Sequence, residues 1–540
     1  MRKIFITAIY LFFSFITFSQ KTDRPKLVVG IIVDQMRWDF LHRYYDRYSP
    51  NGGFKRLMTK GFNCENTNIP FVPTYTACGH SSIYTGSLPS ITGITGNEWY
   101  DNEKQDYVYC TADTGAKTIG SITAAAGKMS PKNMLTTTIC DELKLATNFK
   151  SKVIGIALKD RGGILPAGHS ANAAYWYDSK TGQWITSSYY MNELPQWVLD
   201  FNNQKLVDTY YKQGWKTLYP ISTYVQSTTD ENSYEVKPFG KAFPYDLSSL
   251  AGKNYNPILA TPFGNTLTTE FAKASINNEQ LGADSITDFL AISYSSPDYV
   301  GHSFGPNSIE AEDTYLRLDA ELAELLDFLD KKVGKDQYLI FLTADHGAAH
   351  VPAFMKDNKI PSGNLIVSSL VDSMNQRLKE TFGVSDLVIN ILNHQVILNI
   401  PIIESNLKLK ADDIKSWIVK YLIKQESVDN AFVIEDIQST TLNTFQKKMI
   451  TNGFYANRCG HIYVLLKPQW LEGFEKGGTT HGLWNPYDAH IPLLWYGWKI
   501  KQGTLYRNVS MTDIATTLAA MLKIQTPNGS VGEVITELLK

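Results

Sequence analysis

Tyr338-Leu339-Ile340-Phe341-Leu342-Thr343-Ala344-Asp345-His346-Gly347 is an apolar run that stops at an acid, an imidazole and a glycine. Branched and aromatic residues without polar alternation suit a strand buried on both faces of a parallel sheet. Three other runs share this form. Residues 26–33 end at Asp34, residues 153–158 at Lys159, and residues 286–294 lead to Asp298. A fifth, residues 491–496, is similar but carries no chemical group at its end. One such run is simply a core strand. Four that each deliver a polar group at the carboxyl end indicate an α/β fold, because ligands of open α/β sheets bind outside those ends. Residues 309–333, with Leu and Ala at three- and four-residue steps, supply a helical pattern between strands.

Composition narrows the class. The chain has 540 residues, 43% apolar and 19% charged, an ordinary globular balance. Its net charge of −2 gives no global basic field for nucleic acid or anionic lipid. An anion site must be built locally. Arg2 and Lys3 precede an uncharged run from Ile4 to Phe18, followed by Ser19-Gln20. This is the form of a cleaved secretory signal over residues 1–19, too short for a full membrane span. Export to the periplasm, with no stable membrane anchor afterwards, is the expectation. Five cysteines, Cys64, Cys78, Cys110, Cys140 and Cys459, leave at least one unpaired, and no CxxC spacing suggests a metal site.

Two stretches interrupt the strand pattern. Residues 162–280 are rich in Tyr, Trp, Ser and Asn, and within them Ala173–Asp178 and residues 183–190 flank a turn, reading as a β-hairpin. Residues 351–478 hold mixed short elements. Both read as insertions packed over or beside the sheet, within one catalytic domain over residues 20–540.

The chemistry-bearing residues lie at the strand ends. Asp345-His346 offers two metal ligands. In Ser296-Pro297-Asp298-Tyr299-Val300-Gly301-His302, an Asp and a His stand four apart, aligned if the segment is helical. Alone it also reads as a surface turn. Thr480-His481-Gly482 adds a histidine in a Gly-bounded loop, and Asp34 ends the first run. Three Asp and three His suit zinc, whose catalytic sites keep a position open. A nucleophile candidate lies in Pro73-Thr74-Tyr75-Thr76-Ala77-Cys78-Gly79-His80. A hydroxyl is weak at neutral pH unless a base, a metal or a helix N-terminus favours the alkoxide. Thr76 stands where a helix over residues 77–85 would begin, and Thr74 reads as a cap.

In this order the motifs resemble the alkaline phosphatase superfamily: strand-end Asp, Thr nucleophile before a Gly-His, Asp-x-x-x-His, Asp-His-Gly, and a late His. Gly96-Asn97-Glu98-Trp99-Tyr100-Asp101 and Leu158-Lys159-Asp160-Arg161-Gly162-Gly163-Ile164-Leu165-Pro166-Ala167-Gly168-His169 are similar to motifs of its phosphate-irrepressible, PafA-type branch in Bacteroidetes. The resemblance implies a three-layer α/β/α sandwich with a mainly parallel sheet. It implies two zinc ions per chain. Asp298, His302 and His481 would hold one. Asp34, Asp345, His346 and the Thr76 oxygen would hold the other. It implies Thr76 as nucleophile, four residues before His80. Asn97, Lys159 and Arg161 would bind the phosphoryl oxygens of small phosphate monoesters in a monomeric enzyme, with Lys159 and Arg161 on one side if that segment stays extended.

A nucleotide pyrophosphatase/phosphodiesterase shares the metal sites, the Thr and the Asn, but lacks the Lys/Arg pair. A phosphoglycerate mutase would be cytosolic and use Ser. A sulfatase would need a C/S-x-P-x-R setting, which Cys78-Gly79-His80 does not give. A non-catalytic binding protein of this fold would have lost a ligand or the nucleophile, and none is missing. His42, His350, His394, His461 and His490 read as surface or core groups, while His80 and His169 read as loop supports.

Overall fold

The structure is a computed structural model that describes residues 23–539 apart from 237 and 474–476. The expected signal at residues 1–19 lies outside the described residues.

The four runs become the strands Leu27–Val33, Val153–Ala157, Asp288–Tyr294 and Tyr338–Thr343. Every residue in them is buried, which accounts for the missing polar alternation. They lie side by side in parallel, in the order Tyr338–Thr343, Leu27–Val33, Asp288–Tyr294, Val153–Ala157, and Ala173–Asp178 continues the series in parallel. The whole sheet has ten strands. The fifth apolar run breaks at Pro492, and its second part, Leu493–Gly497, pairs antiparallel with Tyr338–Thr343. The fold is thus mixed α/β around a large, mainly parallel sheet. Fully burying each Val, Ile or Leu side chain contributes about 1.5–3 kcal/mol, so the central strands anchor whatever stands at their ends.

Helices supply the rest of the frame. Ile309–Leu329 starts where the Ser308 hydroxyl accepts from Ala311 N at 3.1 Å, an N-cap that satisfies one otherwise orphan donor. Ser296–Phe304 has Pro297 in its first turn and stops at Gly305, whose φ of 84° suits glycine alone. Thr76–Thr85 begins after the extended Tyr75 and ends at Gly86, φ 64°. All ten of its residues are buried.

The stretch 162–280 does more than cover the sheet. Its hairpin, Ala173–Asp178 with Gln183–Ser187, extends the sheet itself. The stretch 351–478 folds round a core of its own. Strands Val388–Leu392, Gln395–Leu398, Ile462–Leu466 and Val428–Val433 form an antiparallel sheet in that order. Met374 and Leu378 of helix Val367–Phe382 and Ile414 and Ile418 of helix Ala411–Leu422 pack with Val396 and Ile462. All five cysteines are buried free thiols.

Candidate active site

The strand ends converge as the sequence pattern requires. Asp34, Asp345 and His346 present ligating atoms within 4.8 Å of one another, and so do Asp298, His302 and His481. Asp298 and His302 share one helix, Ser296–Phe304, so their four-residue spacing stacks them a turn apart. The two groups touch: the rings of His346 and His481 stack with centroids 3.5 Å apart. Thr76 is 1% exposed, and its Oγ lies 3.4 Å from His346 Nε2.

The three imidazoles are oriented alike. Nδ1 of His302 meets Thr479 O at 2.7 Å, Nδ1 of His346 meets Gly347 O at 2.9 Å, and Nδ1 of His481 meets Thr74 O at 2.7 Å. A carbonyl only accepts, so Nδ1 carries the hydrogen and donates. Each Nε2 then faces a carboxylate: Asp298 Oδ1 at 3.1 Å from His302 and 3.7 Å from His481, and Asp34 Oδ1 at 3.5 Å from His346. Such backbone partners fix the tautomer of metal-binding histidines.

The electrostatics fit a cation. Burial and the Asp345 carboxylate push the Asp34 carboxyl well above the ordinary range, against the pull of Lys159. Burial works to raise Asp298, but His302 and Lys159 outweigh it and hold it well below that range. Burial pushes His346 down, and burial with the neighbouring His346 and His302 pushes His481 well down. Asp34 Oδ1 is buried and receives no hydrogen bond among the described residues, while Asp345 Oδ2 faces His80 Nδ1 at 3.2 Å. Buried carboxylates grouped with imidazole nitrogens are a donor set that suits a divalent cation.

Lys159 joins the two groups. Its Nζ donates to Asp34 Oδ2 at 2.7 Å and Asp298 Oδ2 at 2.5 Å, one carboxylate from each. The extended geometry expected for Lys159-Asp160-Arg161 is not what forms. Lys159 precedes a helix, Asp160–Ala167, and Arg161 already lies within it. Turning the chain here lets Gly162 approach Ala157 and Ser293, where an added Cβ would meet atoms at 3.0 and 3.1 Å. Arg161 Nη1 donates to the Tyr109 hydroxyl at 3.0 Å, while its buried Nε has no partner among the described residues. Asn97 Oδ1 accepts from Ala77 N at 3.0 Å, an orphan donor of the helix start. That bond fixes the amide and leaves its NH2 to donate elsewhere.

Two recesses flank the centre. One of about 400 Å³ is lined by Lys159, Arg161, Tyr299, Trp176 and Tyr177, and the other, of about 320 Å³, by His302, Val236, Leu471 and Thr480. His80 supports the site from behind: its Nδ1 meets Thr76 O at 2.9 Å and its Nε2 meets Ser293 Oγ at 2.8 Å. His169 Nε2 meets Thr136 O at 3.2 Å, away from both groups.

Gln35 was not singled out in the sequence, yet it bridges the two groups. Its backbone N donates to Asp345 Oδ1 at 3.1 Å and its Nε2 to Asp298 Oδ1 at 2.7 Å, with φ at 65°. Its one signal is adjacency to Asp34. Gly79 is where the helix Thr76–Thr85 passes the turn at Asp345. An added Cβ there would stand 2.4 Å from Asp345 O and 2.7 Å from Asp345 Cβ. Gly79→Ala is therefore expected to destabilise the fold by about 1–3 kcal/mol and to weaken metal retention, read as a lower Tm and less bound metal after dialysis.

Residues 28–488 match the sequence family described as type I phosphodiesterase / nucleotide pyrophosphatase. A Myroides odoratus protein named calcium-transporting ATPase is 53% identical over 545 residues, covering 99% of this chain and 98% of that one. Alkaline phosphatase PhoV of Synechococcus elongatus is 51% identical over 528 residues, covering 97% and 94%. Among solved structures, wild-type alkaline phosphatase PafA superposes with a TM-score of 0.93 at 47% identity, covering 96% of this chain and 99% of that one. A variant of PafA is also similar. It is substituted at a threonine, an asparagine, a lysine and an arginine that follow one another at the same intervals as Thr76, Asn97, Lys159 and Arg161 here. Among the described residues, no helix is long and apolar enough to cross a membrane.

Proposed function

The chain belongs to the type I phosphodiesterase / nucleotide pyrophosphatase family and within it is an alkaline phosphatase, a hydrolase of phosphate monoesters, and from that premise we propose that its reaction runs through Thr76 between two zinc sites. The observation that carries this reading is the shared orientation of His302, His346 and His481, each with Nδ1 tied to a backbone carbonyl and Nε2 turned to the carboxylates beside Thr76.

Asp298, His302 and His481 would hold one zinc ion, and Asp34, Asp345 and His346 the other, beside the Thr76 oxygen. Bound there, zinc supplies Lewis-acid charge to the attacking and departing oxygens of an in-line displacement. Thr76 Oγ attacks phosphorus, the bond from phosphorus to the ester oxygen breaks, and the alcohol leaves with the proton. Water then cleaves phosphothreonine to inorganic phosphate and restores the hydroxyl. As the first residue of its helix, Thr76 sits at the positive end of the helix dipole, which favours the alkoxide. The Asn97 NH2 donates to one non-bridging oxygen. Arg161, with its unpartnered Nε, donates to another, and Lys159 adds a compact positive charge. A monoester dianion has one more ionisable oxygen than a diester, which gives the Lys/Arg pair its purpose.

Substrates in this reading are small phosphate monoesters of broad kind, met by a monomeric periplasmic enzyme freed of residues 1–19. The stretches 162–280 and 351–478 form the walls of the mouth.

Turnover of p-nitrophenyl phosphate against bis(p-nitrophenyl) phosphate tests the substrate class. Fast diester turnover with negligible monoester turnover would overturn it. Lys159→Ala and Arg161→Ala are each expected to cost about 2–4 kcal/mol of transition-state stabilisation on the monoester and far less on the diester. Equal losses on both would remove the pair from that role.

A further inference from the structure

Residues 98–109 form a short hairpin, Glu98–Asp101 paired antiparallel with Asp106–Tyr109. Its position is unusual in one respect: both ends lead directly to groups read above as phosphoryl donors. Asn97 immediately precedes the first strand. Tyr109, the last residue of the second, places its hydroxyl between Arg161 and Asp160. Arg161 Nη1 donates to that oxygen at 3.0 Å, and the hydroxyl donates onward to Asp160 Oδ1 at 2.6 Å. The same carboxylate accepts from Arg161 N at 2.6 Å and, through Oδ2, from the Thr111 hydroxyl at 3.2 Å. The two ends are themselves tied, because Cys110 N donates to Asn97 O at 2.9 Å. The hairpin is seated on the 351–478 stretch. Asn393 Nδ2 donates to Glu98 O at 2.8 Å, Asn102 N to Asn457 O at 3.0 Å, and Asn102 Nδ2 to Cys459 O at 2.9 Å. Asn393 is buried at a hairpin tip with φ 53°.

We propose that this hairpin is a positioning element for the reaction, setting the donors of Asn97 and Arg161 as one unit, with Tyr109 the residue through which it holds Arg161 and Asn393 the residue through which the 351–478 stretch holds Asn97. The proposal rests on the reading of Asn97 and Arg161 as donors to the phosphoryl group. Its physical basis is pre-organisation. A guanidinium with three rotatable carbons binds an anion well only if its plane is fixed beforehand. Asp160 alone cannot fix it, since the carboxylate reaches the guanidinium only through the Tyr109 oxygen. Tyr109 lines the recess beside Lys159 and Arg161, but its hydroxyl is taken up by Arg161 and Asp160, and Asn393 bonds the Glu98 carbonyl, so both are read as positioning residues.

The test compares Tyr109→Phe, Arg161→Ala and the double variant on p-nitrophenyl phosphate and bis(p-nitrophenyl) phosphate, with inhibition by inorganic phosphate as a binding readout. Tyr109→Phe removes one hydroxyl and keeps the ring. It is expected to lower monoester kcat/KM by about tenfold, the scale of one charged-group hydrogen bond, to weaken phosphate inhibition in parallel, and to leave the diester within about twofold. In the Arg161→Ala background the same change is expected to do nothing further. A merely structural tyrosine would lower both substrates alike and would keep its effect without Arg161, and either result overturns the proposal. If Arg161→Ala itself spares the monoester preference, the reading of Arg161 falls and this proposal with it. If Arg161→Ala shifts that preference and Tyr109→Phe does not, only the positioning role falls. Asn393→Gly, which tolerates the positive φ, gives an independent arm. It is expected to lower turnover several-fold, and to have no effect once Asn97→Ala is present. Persistence of its effect in that background overturns the Asn393 half.

Discussion

Thr76→Ala is expected to lower monoester turnover by at least about 10³-fold, the scale on which removal of an activated nucleophile acts, while the folded state survives. The side chain is small, and its Oγ makes one weak contact, at 3.4 Å to His346 Nε2. Its loss costs the core little and the reaction nearly everything. Thr76→Ser keeps an oxygen at the same place and is expected to retain much of the activity. Acid quenching during turnover, followed by mass analysis, should find a phosphoryl group on the peptide that holds Thr76 in the native enzyme and none in Thr76→Ala. Full activity in Thr76→Ala would transfer the nucleophile's role elsewhere.

Chelation is expected to act with comparable force, because the Lewis acid contributes several kcal/mol of charge stabilisation and each 1.36 kcal/mol is tenfold. Dialysis against a strong chelator should lower activity by about 10³-fold or more. Zinc should restore it, and metal analysis of the restored enzyme should return two zinc ions per chain. Stability should move too. The carboxylates of Asp34, Asp298 and Asp345 are all buried, and a ligand held at a thousand times its Kd stabilises the native state by about 4 kcal/mol. A chelated enzyme with unchanged activity and Tm would overturn the metal reading, and a single bound ion would reduce it to one site.

The strands were legible because of a simple constraint. A strand covered on both faces has little place for an unpartnered polar side chain, so Leu27–Val33 is apolar throughout and Tyr338–Thr343 carries hydroxyls only at its ends, where Tyr338 donates to Asp330 and Thr343 to Pro492 O. Asp298 and His302 were legible as partners because a helical turn aligns residues four apart. The Lys159–Arg161 geometry was not legible. An extended segment and a helix start share the same three residues, and the helix Asp160–Ala167 is seen only in the packed fold, where Gly162 lies close against Ala157 and Ser293. Gln35 and Tyr109 were missed for a related cause. Each acts through partners far away in the chain, Asp298 for Gln35 and Arg161 for Tyr109. Long-range pairing leaves no local period for a sequence pattern to display. The stretch 351–478 read as short mixed elements, and only its tertiary packing makes a separate sheet and core of them.

The bond from His481 Nδ1 to Thr74 O spans 407 residues of chain. It lies two residues from the proposed nucleophile, so the Thr76 segment and the last candidate ligand in the chain are locked to each other. A growing polypeptide therefore carries Thr76 long before it can use it. Until the segment around His481 has emerged and docked, one ligand group is incomplete and the hydroxyl lacks its full setting. Contacts of such separation form late, after the loop-closure cost has been met. On the mechanism proposed above, catalytic competence is thus a property of the finished chain, and an amino-terminal fragment ending before residue 481 is expected to lack it.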